Sequence, residues 1–128
     1  MTRAKGSRKP CDLRMARQRL IDARQFLEAA KLLEAPDVVA TNAIHAAIAA
    51  ADAVTCHALG QRSSDGDHAA AVALLRQVDP SLATALKRAL DRKTQAVYES
   101  TDLTRADAAS CVRWAEKILA AAEVRFEK

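Results

Sequence analysis

Arg62 and His68 are separated by Ser63, Ser64, Asp65, Gly66 and Asp67, in the most loop-like stretch of a 128-residue chain. An arginine and a histidine at such a spacing suit phosphate chemistry. The imidazole can move a proton while the guanidinium stabilises developing negative charge. The same pair has an ordinary reading, as a loop arginine followed by a histidine at a helix start. A second set is more unusual. Asn42, His45 and Asp52 lie at steps of three and seven within a run otherwise made of Ala, Val and Ile, and Ala49 and Cys56 complete the line. On a helix these residues share one side.

A carboxylate in such surroundings is costly unless it is paired and hydrogen-bonded. Lys93 falls on the apolar stripe of a later helix and is the obvious counter-ion, with His68 as a second candidate. Three readings follow: a satisfied core network, a polar pocket between the second, third and fourth helices, or a face turned towards another subunit. Tyr98 closes the fourth helix and joins the pocket candidates as a buried ring with a bonded hydroxyl. His57, in the last turn of the second helix, is placed to cap its carbonyls. Trp114 reads as packing at a core edge, with a dimer interface as its alternative.

Cys11, Cys56 and Cys111 are widely spaced, with neither zinc-site spacing nor a disulfide framework. Free thiols fit a reducing, cytoplasmic setting. There is no glycine-rich phosphate loop, HExxH or EF-hand, so no metal or cofactor is expected. Phe, Trp and Tyr together number only four, which leaves no stacking platform for single-stranded nucleic acid. No apolar run reaches the roughly 18 residues of a membrane span, because Asn42, His45 and Asp52 interrupt the nearest approach. No signal peptide is expected, since the basic N-terminus leads to Pro10 and an amphipathic segment.

The elements that must hold these residues are helices. Thirty residues are alanine, the best helix former, and there are only three glycines and three prolines. The net charge of +4 is local: four of the 20 basic residues, Arg3, Lys5, Arg8 and Lys9, lie within 1–10, which holds no acid. The remaining basic and acidic side chains balance, so residues 1–10 read as a basic flexible tail and 11–128 as one bundle domain. Helices are expected over 12–33, 36–59, 67–78, 80–99 and 104–126. Their stripes run through Leu13, Ala16, Leu20, Ala23, Leu27 and Ala30 in the first helix, and through Ala71, Leu74, Leu75 and Val78 in the third. The fourth has Leu82, Leu86, Ala89, Lys93 and Val97, and the fifth Ala108, Cys111, Ala115, Ile118, Ala122 and Phe126. Pro36 starts the second helix and Gly60 stops it. Ser64 with Asp67, and Thr104 with Asp107, have capping-box spacing. Asp79-Pro80 restarts the chain, and a break falls at 100–102. Short connections make consecutive helices antiparallel, an up-and-down bundle of four to five helices.

The order LRMARQRLIDARQFLEAAKLL, NAIHAAIAAADAVTCHAL, DHAAAVALL and KRALDRKTQAVY, closed by an amphipathic helix, resembles the HEPN superfamily over roughly residues 12–126. The Asp-His start of the short third helix and its Leu-Leu pair carry the likeness best. The resemblance implies a helical bundle that is commonly a homodimer. Many HEPN members are metal-independent RNases, often toxins of toxin–antitoxin pairs, with an Arg-x4–6-His motif late in the chain. Others act with a minimal nucleotidyltransferase. Here the late segment VYESTDLTRADAASC holds Arg105 but no histidine follows it, whereas Arg62 and His68 have the spacing at an earlier place. The resulting expectation is a non-catalytic, cytoplasmic, dimeric module that binds a partner protein or a nucleotide. The alternative is an endoribonuclease using Arg62 and His68, the only reading that calls for RNA.

Overall fold

The computed structural model describes residues 8–64, 66–98 and 102–127, with the backbone alone at 95–98. The helices are α1 (Leu13–Leu32), α2 (Pro36–Leu59), α3 (His68–Val78), α4 (Pro80–Tyr98) and α5 (Arg105–Phe126). Two three-residue strands, β1 (Arg8–Pro10) and β2 (Gln61–Ser63), complete the fold. Each expected helix end lies within one residue of the observed one. The expected break at 100–102 falls mostly outside the described residues, as do residues 1–7 of the basic tail.

Local chemistry sets those ends. The Met15 amide donates to Asp12 Oδ1 at 2.8 Å and opens α1. Gly60 closes α2 at φ 69°, the left-handed region that glycine enters without a Cβ penalty, and its N–H donates to the Cys56 carbonyl at 3.0 Å. Asp67, rather than Ser64, is the cap of α3, accepting from the Ala70 amide at 3.0 Å. Asp79 serves two helices: its N–H bonds the Leu75 carbonyl behind it, and its carboxylate accepts from the Ser81 amide ahead.

Helix α2 packs against all four other helices, most extensively α1 and α5. Its alanines Ala40, Ala43, Ala46, Ala47, Ala49, Ala50 and Ala53 are fully buried, so neighbouring backbones approach closely. By length and composition α2 is long and apolar enough to cross a membrane, which the expectation of no spanning run did not allow. Two thirds of its apolar window is nevertheless buried inside the bundle. The stripes of the other helices meet it as expected, with Ala16, Leu20, Ala23, Leu27, Leu75, Leu86, Cys111, Ala115 and Ile118 all buried. Leu13 departs from its stripe and is half exposed.

Two expectations fail at one place. The reading of helices alone, with residues 1–10 as a flexible tail, leaves no place for a strand, yet β1 and β2 pair antiparallel with Lys9 opposite Arg62, so residues 8–10 are structured. Beside this ribbon Cys11 and Cys56, 45 residues apart, form a disulfide, and the Cys11 amide donates to the Gly60 carbonyl at 2.9 Å. A three-residue strand gives no alternation to read, and a bridge between distant cysteines has no local signature. With two thiols joined, the argument from free thiols to a reducing compartment loses its basis. Cys111 stays free in the core, where burial pushes its thiol up to about 11.

Candidate functional site

The polar line on α2 divides between two environments. Asp52 is buried, and its Oδ2 lies 3.0 Å from both Nε and Nη2 of Arg19 on α1. Nη1 of Arg62, on β2, stands 3.7 Å from the same oxygen. Arg19 also donates to Asp22 Oδ2 at 3.0 Å, and Asp22 Oδ1 accepts from the Gln18 side chain. The expected Asp52–Lys93 pair is therefore not formed. Asp52 lies where α1 and β2 press arginines onto α2, whereas Lys93 stands on α4. Arg19 was not anticipated as a site residue. Its position three residues after Ala16 and four before Ala23 puts it at the edge of the buried face, the one sequence signal that pointed to it.

The second environment holds His45, His68 and Lys93. His68 is the first residue of α3, and Lys93 is half-buried on α4 because it continues the line of Leu82, Leu86 and Ala89. His45 is exposed on α2, its ring tilted against Phe26 with centroids 5.2 Å apart. Both imidazoles titrate below their ordinary value of 6.5. Desolvation is the main cause for each, and the positive charge of Lys93 is the next. Arg19 and His68 add to the effect on His45, whereas Asp67 opposes it at His68.

Beside this cluster a cleft of about 560 Å³ opens between α3 and α4. Val72 and Leu90 form apolar wall. His68, Arg76, Lys87, Asp91, Lys93 and Thr94 supply polar atoms. Lys87 is occupied by Asp91, with Nζ to Oδ2 at 3.2 Å. Such a space suits a small ligand with an anionic end.

The other candidates separate from these groups. Asn42 donates to the Val38 carbonyl of its own helix at 2.9 Å. The Tyr98 side chain lies outside the described residues. His57 does not cap α2: its ring meets Phe126 edge-on, and its buried Nδ1 has no hydrogen-bond partner among the described residues. Trp114 packs against the core and carries the Arg92 guanidinium 5.9 Å from its ring centre. Among the described residues no three His, Cys, Asp or Glu side chains gather as a metal site.

Compared with protein-family models, curated proteins and solved structures, the chain gives no significant match. The likeness to HEPN domains thus rests on the residues quoted for it, and function has to be argued from the two polar environments themselves.

Proposed function

We propose that the chain is a non-catalytic, HEPN-like binding module whose ligand side is the cleft between α3 and α4. The observation carrying this reading is the engagement of Arg62 with buried Asp52. A guanidinium held by a carboxylate is a poor stabiliser of charge developing on a substrate, so the Arg-x5-His spacing loses one of its two catalytic partners. The other, His68, borders a cleft among cations, an arrangement that favours holding an anion. In this reading the module acts as a two-fold dimer with a partner protein, of the kind a nucleotidyltransferase or an antitoxin would be. Exposed Leu13, Met15 and Ile21 on α1 supply apolar surface for association.

Incubation with structured and single-stranded RNA in EDTA tests the reading, and no cleavage is the expected result. Cleavage lost in His68→Ala, with helical content unchanged by circular dichroism, would establish the ribonuclease instead. Light scattering on the same preparation should give the mass of two chains; one chain's mass at high micromolar concentration would remove the dimer.

A further inference from the structure

Among the described residues His45, His68 and Lys93 have few acids to balance them: Asp67 acts on His68, and Asp91 in the adjoining cleft is taken by Lys87. Among the described residues none of the three forms an ion pair or a side-chain hydrogen bond, although ion pairs are frequent elsewhere in the molecule. Among the described residues the charged groups that act on the two histidines come from α1, α4 and the start of α3. The charge of Arg19 on α1 acts on His45, that of Lys93 on α4 acts on both histidines, and Asp67, whose carboxylate already caps α3, is the acid that acts on His68. Arg76, exposed on α3, adds a further cation to the cleft wall, while the charges of Lys87 and Asp91 offset each other. Near neutral pH Lys93 and Arg76 carry the charge there, while His45 and His68, titrating below 6.5, stay mostly neutral and take up protons only if an anion joins them.

The balancing group has a definable chemistry. A carboxylate brings one charge and two oxygens. A phosphate monoester near neutral pH brings between one and two charges and three strong acceptor oxygens, which better matches donors at His68, Lys93 and Arg76. The cleft volume of about 560 Å³ exceeds the needs of phosphate alone, and buried Val72 and Leu90 offer apolar surface beside the cations. We propose that this cleft binds a terminal phosphate dianion carried by a small organic monoester, with His68 and Lys93 on the phosphate and Val72 and Leu90 against the organic part. His45 contributes through its charge, from α2. The proposal rests on the binding-module reading and names its ligand class.

Protonation gives the site a signature. A bound dianion favours the charged imidazolium, so it must raise the depressed titrations of His45 and His68. The test uses the full chain with adenosine 5′-monophosphate, inorganic phosphate and adenosine as probes, measured by calorimetry and by proton NMR of the histidine rings. Adenosine 5′-monophosphate should bind at least tenfold tighter than adenosine and shift both histidine titrations upward, which adenosine should not do. Inorganic phosphate equalling the nucleotide would overturn the organic part of the assignment; weaker binding of phosphate supports it. His68→Gln and, separately, Lys93→Gln should each weaken nucleotide binding at least tenfold, while Lys31→Ala, on the distant α1–α5 face, should leave it unchanged. Equal binding of nucleotide and adenosine, or full binding by Lys93→Gln with native helical content, would overturn the site. The two readings fail separately. Histidine-dependent RNA cleavage sinks the non-catalytic module whatever the nucleotide does, and loss of phosphate selectivity sinks this site whatever the RNA assay gives.

Discussion

Asp52 shows what one residue in the wrong company forces on a fold. A carboxylate 4 % exposed must find positive partners, and here Arg19 lies at 3.0 Å and Arg62 at 3.7 Å. Replacing Asp52 with Ala leaves two partly buried guanidinium groups facing each other. It should cost on the order of 3 kcal/mol, read from urea unfolding. A loss below about 0.5 kcal/mol would mean the cluster behaves as a solvated surface pair. Arg19→Ala should cost less, because Arg19 is a quarter exposed and Asp52 keeps Arg62. Lys93→Ala should not couple to Asp52→Ala in a double-mutant cycle. The need for a partner was legible in the sequence, because Asp52 interrupts an apolar helix. The partner's identity was not. Lys93 and Arg19 are equally plausible cations until the packing of α1 on α2 is known, and no pattern along the chain encodes that choice.

At the scale of the element, end chemistry was the legible part because it is local. Thr104 Oγ1 accepts from the Asp107 amide at 3.0 Å, and Asp107 Oδ2 accepts from the Thr104 amide at 3.0 Å. Spacing alone announces this reciprocal cap. Thr104→Ala should cost about 1 kcal/mol at pH 7. The bond from the Thr104 amide, aided by the Thr104 hydroxyl and the Arg92 guanidinium, holds the Asp107 carboxyl below its ordinary 3.8. A folded value below the unfolded one means the contribution is complete above 3.8 and is lost as pH falls through the folded value. The stability gap between wild type and Asp107→Ala should therefore shrink as the pH drops below 3.8. A gap constant from pH 7 to 2.5 would show that the carboxylate does not act as a charged cap. The β1–β2 ribbon was illegible for the opposite reason. Three residues cannot display a period of two, and their partners stand more than 50 positions away, beside a disulfide whose cysteines are 45 apart.

That bridge matters most at the scale of the whole molecule. Cys11 precedes α1, and Cys56 lies in the last turn of α2, one turn from the Gly60 carbonyl that Cys11 bonds. The link therefore encloses the α1–α2 pair, an extensive helix contact of the fold. Closing a loop of 45 residues removes conformations from the unfolded chain, worth about 4 kcal/mol if native geometry fits the bond. The bond also holds β1 against β2, and β2 presents Arg62 to Asp52. Reduction should thus lower stability by an amount that overlaps the cost of losing Arg62. The intact mass of the oxidised protein should rise by about two hydrogens on reduction, and urea unfolding should shift to lower concentration. Cys56→Ser should unfold at the same urea concentration with and without reductant, because Cys111 is buried and forms no bridge. Arg62→Ala should cost less in Cys56→Ser than in the oxidised wild type, since freeing β1 loosens the strand that aims the arginine. Equal costs in both backgrounds would separate the bridge from the Asp52 cluster and leave it a clamp on α1 and α2 alone.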